Sequence, residues 1–464
     1  MISRRSFITG TGALLAAAQT PARSAAKSQN QADVIVVGAG GAGLAAAVSA
    51  AEAGASVLVL EKMSTPGGNT LLTSGSFNAA AADLDHNDSP EKHYFDTFRY
   101  GGCRAEPELV RTLTYNAPKT LAWLQSQGVR FSDRMYQAFG GMYPRAHNTV
   151  TPFGAGYIET LLARCRALNV AVFTNHQLLN FHKNSSNRIT GATALHNGQK
   201  LDFFAHRAVV VASGGFAANN NMCSIYDPRL EKMATTNHPG ATGEVLQALE
   251  DIGASLVGMD YIELTPVCMV GDNAFATISP VDTFVFIDSE GNRFIDETST
   301  HEAISEAFMA QPSGRIFSLM DEKGRLSLKD DVRTAFDAHV KKGDIFQEKT
   351  LEDLAIRIEV PVENLKKSAI ALCSNIQRGR ANLEPPFYST RMKLAVHYTM
   401  GGVRINSKAA VLDRLGHEID GLFAAGEVTG GIHGTNRLGG NGIADAFVFG
   451  RIAGENASKL ASIT

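Results

Sequence analysis

The hydrophobic pattern of the chain is clearest in three short, unbroken apolar runs, Val34–Val37, Val57–Leu60 and Ala208–Val211. Four apolar residues in a row, with no polar alternation, predict strands buried on both faces, as in a parallel sheet covered by helices. Between the first two runs, the alanine-rich stretch Leu44–Ala53 predicts a helix, so residues 33–61 should form strand, glycine turn, helix and strand. A further strand is predicted at Gly421–Ala425, entering the turn Gly426-Glu427, with a helix from about Gly442 to Leu460. Strands that run into glycine turns at both ends of the chain predict one α/β unit assembled from separated segments.

From about Pro266 to Met392 the sequence is richer in charge. It has its own strand–turn–strand pattern at Thr283–Ile287 and Arg293–Ile295, then helical periodicity at Leu351–Ile358 and Leu365–Ile376. These features predict an inserted α+β domain over 266–392, flanked by the two parts of the first domain at 33–265 and 393–464.

A length of 464 residues exceeds what one core ordinarily fills, in line with two domains. Lys and Arg (43) nearly balance Asp and Glu (46), so no basic field is available to hold nucleic acid or acidic lipid. Hydrophobic content of 44% with 19% charged residues excludes a disordered chain. The five cysteines, Cys103, Cys165, Cys223, Cys268 and Cys373, are far apart and form no CxxC pair. A disulfide framework, a cysteine zinc site and an attached c-type haem are therefore not expected, nor is any other metal site.

The first 26 residues differ from the rest. Ser3-Arg4-Arg5-Ser6-Phe7-Ile8 is a twin-arginine pattern, and the weakly apolar stretch Ile8–Ala18 is too short to span a membrane. Ser24-x-Ala26 offers a cleavage site of small residues. Residues 1–26 thus predict a signal for export of an already folded protein, leaving a soluble periplasmic chain that begins near Lys27.

The glycines between the first strand and the first helix are spaced Gly38-x-Gly40-x-x-Gly43. In that context Gly38 makes the tight turn, Gly40 admits a pyrophosphate and Gly43 lets the helix lie close on the strand. Glu61 closes the second strand, where an acid takes the adenosine ribose, with Lys62 beside it. The fingerprint predicts a dinucleotide and leaves NAD and FAD undivided.

Several further motifs follow in order: Gly67-Gly68-Asn69-Thr70, Ala212-Ser213-Gly214-Gly215-Phe216, His397-Tyr398-Thr399-Met400-Gly401-Gly402 and Ala425-Gly426-Glu427-Val428-Thr429-Gly430-Gly431. His433-Gly434-Thr435-Asn436-Arg437-Leu438-Gly439-Gly440-Asn441 completes the set. In these motifs, over nearly all of Asp33 to Leu460, the chain resembles the FAD-binding subunits of the fumarate reductase/succinate dehydrogenase family, and most of all its soluble periplasmic flavocytochrome c branch. The resemblance implies a Rossmann-like FAD domain carrying a mobile α+β capping domain. It implies hydride transfer between flavin N5 and an activated carbon–carbon double bond. Gly67, Gly68, Asn69 and Thr70 would line the flavin, Ser213 and Gly214 the adenine and phosphates, Glu427 the ribitol, and Gly442 and Ile443 the pyrimidine edge. Members that attach FAD covalently carry a histidine just after the glycine pair; Gly68-Asn69-Thr70-Leu71-Leu72 has none, so non-covalent FAD is expected.

For the substrate, the resemblance makes Arg437 the clamp on a carboxylate and His397 its hydrogen-bonding partner. The family's acid is an arginine after an R-F-[IV]-[ND]-E stretch; Arg293-Phe294-Ile295-Asp296-Glu297 is present here, and His301 stands in the arginine's place. His301 is the candidate proton donor because an imidazole ordinarily titrates near neutral pH, with Tyr136, Tyr143 and Tyr398 as alternatives. Thr265 replaces the second histidine of a dicarboxylate site, and Thr277 and Pro280 stand where a proton relay would need Glu and Arg. The expected activity is reduction of an α,β-unsaturated carboxylate other than fumarate. A dehydrogenase acting on a carboxylate or ketosteroid-like ring, or a flavin electron-transfer subunit without catalysis, are the alternative readings. Without haem of its own the chain needs a separate electron donor, for which a multihaem cytochrome c is expected.

Overall fold

The computed structural model describes residues 30–80, 85–270, 273–275, 283–328, 330–374 and 382–463; the twin-arginine segment, Thr277 and Pro280 lie outside these ranges. The apolar runs form the centre of an eight-stranded sheet in the order Ala410–Leu412, Glu418–Ala424, Gln199–Val211, Gln31–Val37, Val57–Leu60 and Ala171–Phe173, with a hairpin of Gln177–Lys183 and Ile189–His196 at one side. All neighbours from Glu418–Ala424 to Ala171–Phe173 run parallel, with Ile35 opposite both Leu58 and Val209. Strands from residues 31 and 418 thus share one sheet, as the turn pattern predicts. The helices Gly41–Glu52 and Asn441–Lys459 pack on each other, and both contribute to one continuous apolar core with the sheet.

A second, seven-stranded sheet contains Ile262–Val270, Phe284–Ile287, Ile316–Asp321 and Phe387–Thr399. Its strands alternate cleanly. Val285, Ile287, Phe317 and Leu319 face the helices Leu351–Ile358 and Val362–Ser374, whereas Phe284, Phe286, Ile316 and Met320 face the helix His301–Met309. Each face of this antiparallel layer is therefore buried under helix, which a period of two requires. Ile262–Val270 and Phe387–Thr399 run without a break through positions 266 and 392.

One predicted strand is absent. Arg293–Ile295 makes only an isolated bridge, Arg293 to Ile287. The Phe286 amide that a partner strand would satisfy donates instead to Glu297 Oε1 at 2.8 Å, and Arg293 turns its guanidinium onto Glu297 at 2.7 Å. Side chains thus take the place of the ladder. Of the cysteines, Cys165, Cys223 and Cys268 are buried, Cys373 is half-buried and Cys103 is exposed.

Candidate active site

The glycine turn and the end of the second strand are locked together. Gly38 has φ +101°, and its amide donates to Leu60 O at 2.7 Å. A side-chain carbon at Gly43 would fall 1.8 Å from Gly38 O, so only glycine lets this helix start so close to the strand. Glu61 is buried; Oε2 accepts from the Ala39 amide and Oε1 from the Met63 amide, each at 2.8 Å. Burial raises its pKa against the pull of those two amides. Lys62 points elsewhere, onto Glu244 and Thr242. The helix Gly41–Glu52 begins without a side-chain cap, and a carbon built on Gly214 meets no atom within 4 Å.

Next to this turn, Gly67–Thr70 enters a short 3₁₀ turn whose Thr70 hydroxyl accepts from the Gly41 amide at 3.0 Å. Asn69 bridges Asn237 at 2.5 Å and Glu427 Oε2 at 3.1 Å, while its carbonyl accepts from the His238 amide. Glu427 also accepts from the Thr399 amide at 3.2 Å. Burial pushes its carboxyl up to about 7. Gly442 and Ile443 form the start of the helix Asn441–Lys459, against Tyr398 and Arg437.

Arg437 and His301 both contact Glu263, and the His301 and His397 rings lie 6.5 Å apart. The strand pairing skips a residue: Tyr398 lies opposite Glu263 and Val396 opposite Leu264, so His397 is the extra residue of a β-bulge. A bulge re-aims a side chain out of the ladder, and His397 Nδ1 lies 2.7 Å from the Thr236 hydroxyl. Arg437 is buried with its guanidinium 4.7 Å over the Tyr398 ring. Its Nη2 donates to Glu263 Oε1 at 2.6 Å and its own amide to Oε2 at 3.2 Å, leaving Nε buried without a hydrogen-bond partner. The expected carboxylate clamp thus already holds one carboxylate of this chain.

His301 starts the helix His301–Met309, but it is 2% exposed, so it is no surface residue. Its amide donates to the Tyr100 hydroxyl at 3.1 Å, Nδ1 lies 3.4 Å from that hydroxyl, and Phe139 packs edge-on at 5.0 Å. Burial, and then the Arg437 charge, push its pKa down to about 3. The expectation of an imidazole titrating near neutrality is corrected accordingly: His301 is neutral at working pH. Tyr398 bonds Asp445, which also meets His433 at 3.2 Å. Tyr136 bonds Asn148, and Tyr143 bonds Asp85. Glu263, Tyr100, Thr236 and Asp445 were not singled out from the sequence. Glu263 alone carries a visible signal, an acid between apolar residues of a buried strand in Ile262-Glu263-Leu264.

A family model described as FAD binding domain matches residues 33–443. The chain is 32% identical to fumarate reductase (cytochrome) of Shewanella frigidimarina over 92% of its own length and 77% of the relative's. It belongs to the fumarate reductase/succinate dehydrogenase flavoprotein family. The structure of the open conformation of a flavocytochrome c3 fumarate reductase superposes with a TM-score of 0.75 at 30% identity, covering 99% of this chain and 81% of that one. The NADH:acrylate oxidoreductase of Vibrio harveyi is 33% identical over 92% of this chain, which spans 50% of that protein's length. The family's FAD fits the cradle: a buried acid pinned by two amides, an uncapped helix start and open space at Gly214 suit a dinucleotide. Among the described residues no helix is long and apolar enough to cross a membrane.

Proposed function

We propose that the chain is an exported FAD-dependent reductase of α,β-unsaturated carboxylates, with a monocarboxylate as its substrate. The observation that carries this reading is the convergence of Arg437, His397 and His301 at the start of the helix bearing Gly442 and Ile443. The name of the acrylate-reducing relative adds support, since acrylate has a single carboxylate.

Glu61 would receive the ribose hydroxyls, with Lys62 next in sequence, and Gly38, Gly40 and Gly43 would admit the pyrophosphate to the helix start. Ser213 and Gly214 would line the adenine and phosphates, Gly67–Thr70 and Glu427 the isoalloxazine and ribitol, and Gly442 and Ile443 the pyrimidine edge. FAD held there would supply hydride chemistry for reduction of the enoate at its β-carbon. Arg437 and His397 hold the substrate carboxylate and stabilise the negative charge that reduction builds on it. The α-carbon receives its proton from the His301–Tyr100 pair, in which burial and the nearby Glu263 charge keep the phenol protonated.

Four finer points belong to the same proposal. FAD is held non-covalently, because residues 68–72 carry no histidine. Residues 1–26 direct export through the twin-arginine route. The mature chain works in the periplasm, and electrons reach it from a separate multihaem cytochrome c. The test is a panel of enoates added anaerobically to dye-reduced protein. Reoxidation of the flavin by at least one monocarboxylate enoate, faster than by fumarate, is expected. Fumarate outpacing every monocarboxylate, or no reoxidation by any enoate, overturns the reading.

A further inference from the structure

Glu263 is the one acid in direct contact with both Arg437 and His301 among the described residues. Its side chain is 1% exposed, its Oε1 accepts from Arg437 Nη2 at 2.6 Å, and its Oε2 lies 3.7 Å from His301 Nδ1. The bulge at His397 fixes this arrangement, since Glu263 is the last residue paired before the register shifts. His301 is neutral, and Asp445 faces His433 and the Tyr398 hydroxyl. Among the described residues Arg437 is the one guanidinium or ammonium group paired with Glu263, and Glu263 offsets its charge.

We propose that Glu263 is a positioning residue that sets specificity: by offsetting the charge of Arg437 it lets the site accept one substrate carboxylate and reject two. The inference rests on the enoate reading above. Glu263 holds the guanidinium fork through Nη2 and through the Arg437 amide, so Nε is left facing the Gly442 side. A monoanion then meets a correctly aimed donor. Because Arg437 is shared with Glu263, a monoanion leaves the buried cluster with one negative charge in excess and a dianion leaves two, and each further unpaired buried charge is costly.

The test compares fumarate with monomethyl fumarate, which share the double bond and differ by one carboxylate. Holoenzyme carrying Glu263→Gln keeps an oxygen for Arg437 and loses the charge. The ratio of kcat/KM for fumarate over its monomethyl ester should rise at least ~10-fold, mainly through a lower KM for fumarate. Glu263→Asp, which keeps the charge, should hold the wild-type ratio. If Glu263→Gln does not accumulate with FAD, Glu263→Ala supplies the same comparison. In parallel, succinate and monomethyl succinate are titrated against the absorbance of the oxidised flavin, and their Kd ratio should move the same way. A ratio unchanged in both assays, whether both ligands weaken equally or neither changes, overturns the proposal. If wild-type protein binds both succinate ligands yet reduces no enoate, the enoate reading fails while the binding ratio still decides the role of Glu263. If it binds neither, both fall.

Discussion

The Ala39 amide donates to Glu61 Oε2 at 2.8 Å, which makes the glycine turn and the end of the second strand one mechanical unit. The acid therefore shapes the cradle, besides the role towards the ribose proposed for it. Glu61→Ala removes the acceptor for the Ala39 and Met63 amides together with that for the ribose. Each charged hydrogen bond is worth about 1.5–3 kcal/mol, so FAD affinity should fall ~10–150-fold. The ratio of flavin to protein absorbance after gel filtration measures it; wild-type loading would contradict the assignment.

His301 should behave as a buried neutral imidazole. Its folded pKa, about 3, lies below the ordinary 6.5, so its neutral form contributes stability that is complete above 6.5 and is lost as pH falls toward 3. His301→Gln should lose less stability than wild type across that window, as read by unfolding midpoints at a series of pH values. The activity profile of wild type should show no limb near 6.5 that His301→Gln removes. Such a limb would return His301 to the role of a titrating acid.

The central parallel sheet could be read from the sequence because its strands are unbroken apolar runs, and Leu351–Ile358 because its helical period is regular. The edge near Arg293 could not, because it is settled by Glu297 capping the Phe286 amide across a turn. The same limit applies at the site. Glycine spacing and the motif around Arg437 name the residues proposed to face a cofactor or substrate. The partner of Arg437 comes from 174 positions away and is set by strand register. The depressed pKa of His301 likewise depends on burial, which the packing of its helix against Ile262–Val270 and of Tyr100 and Phe139 against its ring creates.

Glu427 should titrate in the opposite sense to His301. Burial raises its carboxyl from 4.5 to about 7, so its contribution is complete below about 4.5 and is lost as pH rises through about 7. Glu427→Gln should remove that loss, leaving the unfolding midpoint flatter between these limits than in wild type. An unchanged slope would show that the carboxyl is already ionised in the folded chain.

Arg437 has two jobs that a single substitution cannot separate. Arg437→Ala removes the substrate clamp, but it also strands Glu263 as a buried carboxylate beside a neutral imidazole. Breaking such a pair from one side costs about 3–5 kcal/mol, so this variant should unfold earlier and load less FAD than wild type. Replacing both partners together, Arg437→Met with Glu263→Leu, leaves no stranded charge and should recover most of the unfolding midpoint and the FAD content. Turnover of enoates should stay lost in the double variant, because the carboxylate has no guanidinium to bind. Midpoint, flavin content and kcat/KM, measured on wild type, both single variants and the double variant, close the cycle. Recovery of stability without activity assigns Arg437 to the substrate; recovery of both would mean that the guanidinium serves the fold alone.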